Sequence, residues 1–349
     1  MAKADVAISA HSDEEISRML SAFEFALPLA SATRLYGGYS GSNYRVQAAD
    51  GAVAVLKVCN SYSAEEVEAQ ARVSAHLRRH GYAKACAALP CMRGAGFTAL
   101  ADDGTPCCVL SFVEGTAADK VIGAGVEARV VLRSIGEALA QLHRVPVDGE
   151  AGLRPMEEGG ACDLRKHISG ELLALFEASE HTKAHSFLPF YRRQRELLLK
   201  AVSARDIPTG VLHGDPFLDN ILCDPHTGEV RGFVDLEDVA VGPCLFDAAC
   251  CACACCFDAA TNTLDHPRLR ALLEGYYAHR RLSAAEAAIF IDWMKATMLC
   301  NASWRFRNFN IDHREIEECR DAHVELQARI LELENPETIA KVQALLDEM

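Results

Sequence analysis

The chain has 349 residues, half of them hydrophobic, and carries a net charge of −14 from 35 basic and 49 acidic side chains. That length exceeds what one hydrophobic core usually fills, so two packed units are expected, and the apolar content excludes a disordered chain. The acidic balance argues against nucleic acid or an anionic membrane surface as the main partner.

The opening MAKADVAISAHSDEE turns acidic before any apolar core of useful length, so no secretory signal is expected and the protein reads as soluble and cytoplasmic. Ser12-Asp13-Glu14-Glu15 spells a capping box, and Ile16, Leu20 and Phe23 continue at helical spacing. Two strand-like runs follow, RLYGGYSGSNYRVQA and GAVAVLKV, joined by Ala49-Asp50-Gly51 as a hairpin corner. Ser63 to Arg79 is helical in pattern, and Gly81 ends it. Cys107 to Gly115, CCVLSFVEG, reads as a strand running into a glycine break. Helical patterns dominate afterwards, from ARVVLRSIGEALAQLHRV to most of the chain beyond Ala259, with GFVDLEDVAVG (Gly232 to Gly242) as a short strand and turn. Strands early and helices late predict an α+β architecture, a small N-terminal sheet unit followed by a larger, mainly helical one.

Five of the fifteen cysteines crowd into CCACACC, Cys250 to Cys256. The pairs Cys250/Cys253 and Cys253/Cys256 have zinc-like spacing, but no second Cys/His pair follows at finger-like distance. A buried Ala/Cys helix is the preferred reading, with cysteine acting as a small hydrophobe. The longest uncharged apolar run, between Asp247 and Asp258, falls short of the ~20 residues a membrane span needs. Gly123-Ala124-Gly125-Val126-Glu127-Ala128 spells G-x-G-x-x-A without a buried strand before it, and no G-x-x-x-x-G-K-[ST] occurs, so neither dinucleotide motif nor P-loop is assigned.

The densest chemistry lies in VLHGDPFLDNIL, Val211 to Leu222, where apolar ends bracket one His, two Asp and one Asn. Unpaired carboxylates are costly to bury, so such a stretch faces water, a metal or a substrate. Asp215 precedes Asn220 by five residues, the Asp-to-Asn interval of a kinase catalytic loop. Asp235 ends the run GFVD fifteen residues beyond Asn220, and Lys57 sits on a strand in AVAVLKV. Glu68 lies eleven residues after Lys57 on the following helix as its partner, with Glu65 and Glu66 open as alternatives. Phosphoryl transfer asks for these parts: a carboxylate for the acceptor hydroxyl, a carboxylate and an amide oxygen for Mg²⁺, and a lysine for the phosphates.

VLHGDPFLDNIL followed by GFVDLEDVAVGPCLFDAA resembles the aminoglycoside phosphotransferase, choline kinase and type II homoserine kinase superfamily, over nearly the whole chain. The resemblance implies a bilobal protein-kinase-like fold: a nucleotide-binding lobe at 1–111, a hinge at 112–118, and a catalytic and substrate-binding lobe at 119–349. It implies a small-molecule kinase dependent on ATP and Mg²⁺, with direct transfer to a hydroxyl. Asp215 is then the base, Asn220 and Asp235 the metal ligands, and Lys57 the phosphate contact paired with Glu68. Gly38, Gly41 and Ser42 of GGYSGSNYRV would neighbour the phosphates, and Ser111 and Val113 of CCVLSFVEG the rest of the nucleotide. His213 braces the loop, and Asp247 supports it from the helix behind. Gly214 replaces the arginine of protein kinases, Leu236 stands where relatives often carry an aromatic, and the hairpin lacks a full G-x-G-x-x-G. EVEAQARVSAHLRRHGY is most similar to hydroxylysine kinases, and the metal-loop region to homoserine kinases.

Within WMKATMLCNASWRFRNFN, Trp304 and Arg307 share nearly one helix side and are the candidates for substrate contact, Arg offering a fork for a carboxylate. Homoserine leads as acceptor, ahead of hydroxylysine, choline or ethanolamine, and aminoglycosides, in a monomer or homodimer. The competing reading is a catalytically silent nucleotide-binding scaffold.

Overall fold

The computed structural model describes residues 10–35, 41–94, 96–148, 153–156, 167–202 and 207–349. Two compact units emerge, one of Met1–Glu114 with Val147–Leu153 and Arg231–Glu237, the other of Gly115–Pro146, Arg154–Val230 and Asp238–Met349. The segment carrying Asp235 therefore packs with the early part of the chain, far from it in sequence.

The first unit opens with helix α1 (Asp13–Leu20), where Ser12 and Glu15 form the expected reciprocal cap. Strands β1 (Leu29–Leu35), β2 (Ser42–Ala48) and β3 (Val53–Val58) follow, then helix α2 (Ala64–Arg79), β4 (Thr98–Leu100) and β5 (Pro106–Ser111). They form one antiparallel sheet in the order β1-β2-β3-β5-β4. Strict alternation along β2 buries Ser42, Tyr44, Val46 and Ala48 while their neighbours stay half-exposed, the period-two pattern of a strand with one covered face. That face joins Ile16, Leu20 and Phe23 with Leu56, Val58 and Val109 in one core. Gly51, at φ +92°, turns the β2–β3 corner in left-handed backbone that suits glycine. Helix α2 starts on a second reciprocal cap, Ser63 with Glu66, and buries Val67 against Cys59 and Cys108. The strand expected over Cys107–Gly115 ends at Ser111, where its register against β3 also ends at Ala54.

The second unit holds short strands β6 (Thr116–Ala117), β7 (Thr209–Leu212) and β8 (Ile221–Cys223); β9 (Val230–Phe233) leads into the segment of the first unit, and β10 (Ala240–Pro243) follows. β6 pairs antiparallel with β8, and β7 with β10. Its helices are α3 (Ala118–Gly123), α4 (Ala128–Leu142), α5 (Gly170–Ala178), α6 (Phe187–Ala201), α7 (Cys244–Cys255), α8 (His266–Tyr277), α9 (Ala284–Arg307), α10 (Val324–Glu332) and α11 (Pro336–Glu348). Helix α7 carries the cysteine cluster and is buried along almost its whole length, as the Ala/Cys composition implied. No helix among the described residues is long and apolar enough to cross a membrane.

Helices α4 and α8 cross closely because each places a glycine at the contact. A Cβ on Gly136 would run into the Leu272 carbonyl, and one on Gly275 into the Arg133 carbonyl. Gly136→Ala should therefore destabilise the protein by ~1–3 kcal/mol, the usual cost of overpacking. Gly123→Ala, where an added methyl meets nothing within 4 Å, should be neutral or slightly stabilising. Urea unfolding midpoints of the two variants check the contrast.

Candidate active site

Strand β7 delivers the chain to His213, which is buried, and the loop from there to Asn220 is built on local hydrogen bonds. The His213 ring accepts the Asp215 N–H at Nδ1 (3.2 Å), and the Asp215 carbonyl accepts the Phe217 N–H (2.8 Å). Asn220 closes the loop: its side-chain amide donates to the Asp215 carbonyl (3.0 Å) and to the Asp215 Oδ2 (2.8 Å). Asp215 is half-buried, with one carboxylate oxygen held by that amide. Gly214 has φ +86°, and a Cβ there would strike the Asp238 backbone, so the arginine of protein kinases has no room at this position.

The loop hangs on Asp247, which lies in the first turn of α7 with no exposed surface. Its carboxylate accepts the backbone N–H groups of His213 (2.5 Å) and Gly214 (3.0 Å). Its Oδ2 also meets His143 Nε2 (3.2 Å), and His143 Nδ1 lies 2.6 Å from the Tyr276 hydroxyl. Arg280 donates to that hydroxyl (2.9 Å) and to the buried Glu286 (2.5 Å). Burial opposes a charge on His143, but Tyr276 and the Asp247 carboxylate outweigh it, so its pKa stands well above the ordinary histidine value. A cationic imidazole gives the buried carboxylate a counter-charge, without which such a group is strongly destabilising.

In the first unit, β3 presents Lys57 to two carboxylates. The ammonium pairs with Glu237 and lies 3.5 Å from Asp235 Oδ1; Glu237 also accepts the Tyr62 hydroxyl (2.8 Å). Burial alone would push the Lys57 pKa down, yet Asp235 and Glu237 reverse it and hold the amine firmly protonated. Asp235 has φ +62°, left-handed backbone that costs a non-glycine residue ~1–3 kcal/mol and often marks a functional position. Its side chain is 43% exposed, against 11% for Lys57.

Glu68 is not the partner of Lys57. Its carboxylate pairs with Arg72 (2.8 Å) and accepts the Phe97 N–H (2.8 Å). Glu65 is exposed and Glu66 serves the α2 cap, so neither alternative fills the role. The reason is the helix phase: the apolar Val67 is turned into the Cys59–Cys108 cluster, and Glu237 supplies the carboxylate instead. Sequence reasoning missed Glu237, although an acid two residues after Asp235 was the signal available.

Gly38 lies outside the described residues. Gly41 has a packing reason to be glycine, since a Cβ would collide with the Val58 carbonyl. Ser42 Oγ and Asn43 Oδ1 are buried without a hydrogen-bond partner, on the strand where Asn43 sits opposite Lys57. The Ser111 hydroxyl accepts the Ala87 N–H (2.8 Å), and the half-buried Val113 packs beside Gly232. Trp304 is 40% exposed and edge-on to Phe309, while Arg307 is tied to Asp312 (2.9 Å) just beyond the end of α9. Trp293 and Tyr276 are buried.

Among solved structures, the microcompartment-associated aminopropanol kinase matches 93% of this chain and 97% of its own at TM-score 0.68 and 17% identity. Amicoumacin kinase in complex with AMP-PNP, Ca²⁺ and amicoumacin matches 91% of this chain and 93% of its own at TM-score 0.64 and 14% identity. The α+β fold is thus the protein-kinase-like one. A model of the phosphotransferase enzyme family matches residues 31–285, and the chain belongs to that family. The homoserine kinase of Methylobacillus flagellatus is 26% identical over 279 residues, 79% of this chain and 78% of that one. The protein is accordingly a small-molecule phosphotransferase with an alcohol group as acceptor.

The Asp247 network yields a pH prediction. A histidine whose folded pKa is raised stabilises the protein fully below its unfolded pKa, about 6.5, and that contribution fades as pH rises through the folded value. Chemical denaturation from about pH 6.5 upward should show the wild type losing stability faster than His143→Gln, whose curve should be flatter. Asp247→Asn, which turns a donor towards a backbone N–H, should cost ~1–3 kcal/mol by the same measurement.

Proposed function

We propose that the protein is an ATP- and Mg²⁺-dependent kinase that transfers the γ-phosphoryl group directly to the hydroxyl of homoserine or a closely similar amino alcohol. The observation that carries the reading is the Asp215–Asn220 pair on a loop fixed by the buried Asp247. A base held in place before substrate arrives needs no reorganisation at the moment of proton transfer.

In this reading Asp215 orients the acceptor hydroxyl and takes its proton. Lys57, kept charged by its carboxylate neighbours, steadies the phosphates, and the orphaned Asn43 Oδ1, opposite Lys57 on the neighbouring strand, supplies a polar contact near them. Asp235 and Glu237 offer oxygen donors of the kind a hard divalent cation prefers, and Asn220 offers its amide oxygen as the other expected ligand. Bound to such donors, Mg²⁺ neutralises charge on the transferred phosphoryl group. His213 and Asp247 hold the loop and do not react. The homoserine kinase relatives support the acceptor, and the AMP-PNP and Ca²⁺ of the amicoumacin kinase complex support nucleotide and divalent cation. The protein works in the cytosol, as a monomer or homodimer.

An ADP-release assay over homoserine, hydroxylysine, choline, ethanolamine and kanamycin should give homoserine the highest kcat/KM. Equal silence on all five, with ATP bound, would refute the reading. Asp215→Asn should lower kcat by roughly 10²–10⁴ while nucleotide binding, followed by calorimetry, is largely kept. Lys57→Met should instead weaken nucleotide binding, measured by calorimetry below the melting temperature that circular dichroism gives for the variant.

A further inference from the structure

A second cluster of ligating side chains sits in the first unit, at the C-terminal end of α2. The run His76-Leu77-Arg78-Arg79-His80 places two imidazoles one turn apart on the same helix face, with ring centroids 4.4 Å apart. Asp148, from the later segment Val147–Leu153 of the same unit, reaches both rings. Its Oδ1 lies 3.4 Å from His76 Nδ1 and its Oδ2 lies 3.2 Å from His80 Nε2. One donor atom from each residue falls within a common 4.8 Å.

We propose that His76, His80 and Asp148 form a binding site for a borderline divalent transition-metal ion, Zn²⁺ above all, separate from the phosphoryl-transfer residues. The first support is donor chemistry: two imidazole nitrogens and a carboxylate oxygen make up a three-ligand zinc set that leaves a fourth position for water or another ligand. The second is distance. Each imidazole lies within 3.4 Å of one Asp148 oxygen, and one donor atom from each residue falls within 4.8 Å of the others, so a small side-chain adjustment brings all three to the about 2.0–2.2 Å of zinc bonds. The third is preorganisation. The His76 side chain is 1% exposed and fixed in the helix wall, whereas those of His80 and Asp148 are 28% and 38% exposed, giving an ion a path from solvent. Imidazole nitrogen also separates this set from the all-oxygen donors assigned to Mg²⁺.

One competitor is built in. Arg79 lies 3.5 Å from Asp148 Oδ2 and 3.4 Å from His76 Nδ1, so its guanidinium presses on two of the three ligands. Its side chain is more than half exposed. The arrangement therefore predicts opposite effects for two neighbouring residues. Removing His80 takes a ligand away, and removing Arg79 takes a rival cation away.

The test is Co²⁺ and Zn²⁺ titration of the full-length reduced protein with Mg²⁺ in excess, read by visible absorption for Co²⁺ and by calorimetry for Zn²⁺. One equivalent is expected, with a cobalt spectrum of nitrogen and oxygen ligation that lacks the intense near-ultraviolet thiolate band. His80→Ala and Asp148→Asn should each weaken binding at least ~10-fold, Arg79→Ala should strengthen it, and Asp215→Asn should leave it unchanged. His80 and Asp148 are chosen over the buried His76 because their substitution spares the core, and thermal melts without metal verify that each variant folds. Zn²⁺ should raise the melting temperature of the wild type but not of His80→Ala. Absence of binding, a thiolate band from the cysteines, or equal affinity in His80→Ala would overturn the site. None of these results depends on the enzymatic activity, so the metal site and the kinase reading fail separately.

Discussion

A carboxylate with no solvent contact holds the proposed catalytic loop. Asp247 is surrounded by two backbone N–H groups and one imidazole, so directed interactions replace much of the hydration it has lost. Its place in the first turn of α7 adds the partial positive charge of a helix N-terminus. The rest of α7 explains how the carboxylate comes to lie so deep. Alanines and cysteines give a helix thin enough to pass through the core, and burial pushes the Cys250 and Cys256 thiols well above their ordinary pKa, so they stay neutral. The cysteine cluster is thus the apolar shaft that carries one acid beneath the loop.

The first unit solves the converse problem, a buried cation. Lys57 is pointed into a nearly dry site by the alternation of β3, and a protonated amine persists there only with carboxylates beside it. Both come from the segment after β9, so a strand near residue 55 depends on a loop near residue 235 for its charge balance. That dependence ties Arg231–Glu237 to the first unit, together with the Phe233 N–H bond to the Lys84 carbonyl (2.8 Å).

Much of this was legible in the sequence because it is local. The strand around β2, the Ser12/Glu15 cap, the turn at Gly51 and the buried helix of cysteines are each read within about a dozen residues. The interval between Asp215 and Asn220 is likewise local, and the two side chains do meet. What stayed hidden depends on contacts between distant residues. Counting eleven residues from Lys57 to Glu68 locates an acid on the next helix, but not that Val67 would claim the inward face and turn Glu68 towards Phe97. The chain from Asp247 through His143 and Tyr276 to Arg280 and Glu286 joins residues more than a hundred apart. Nothing in the spacing of single residues announces it.

In the proposed function, local charge would let a protein carrying −14 overall serve a polyanionic nucleotide. The Lys57 cluster joins one ammonium to two carboxylates, so taken alone it bears a net negative charge and repels phosphate. A divalent cation on the same carboxylates reverses that sign, changing the cluster from one that rejects a polyphosphate into one that attracts it. Under that proposal nucleotide and metal would be thermodynamically linked, each raising the affinity for the other by the same factor. A cluster of several lysines would bind phosphate without metal and lose this coupling. The second carboxylate, Glu237, therefore does two jobs. It keeps Lys57 charged in a dry site, and in the proposed function it would make anion binding conditional on the cation.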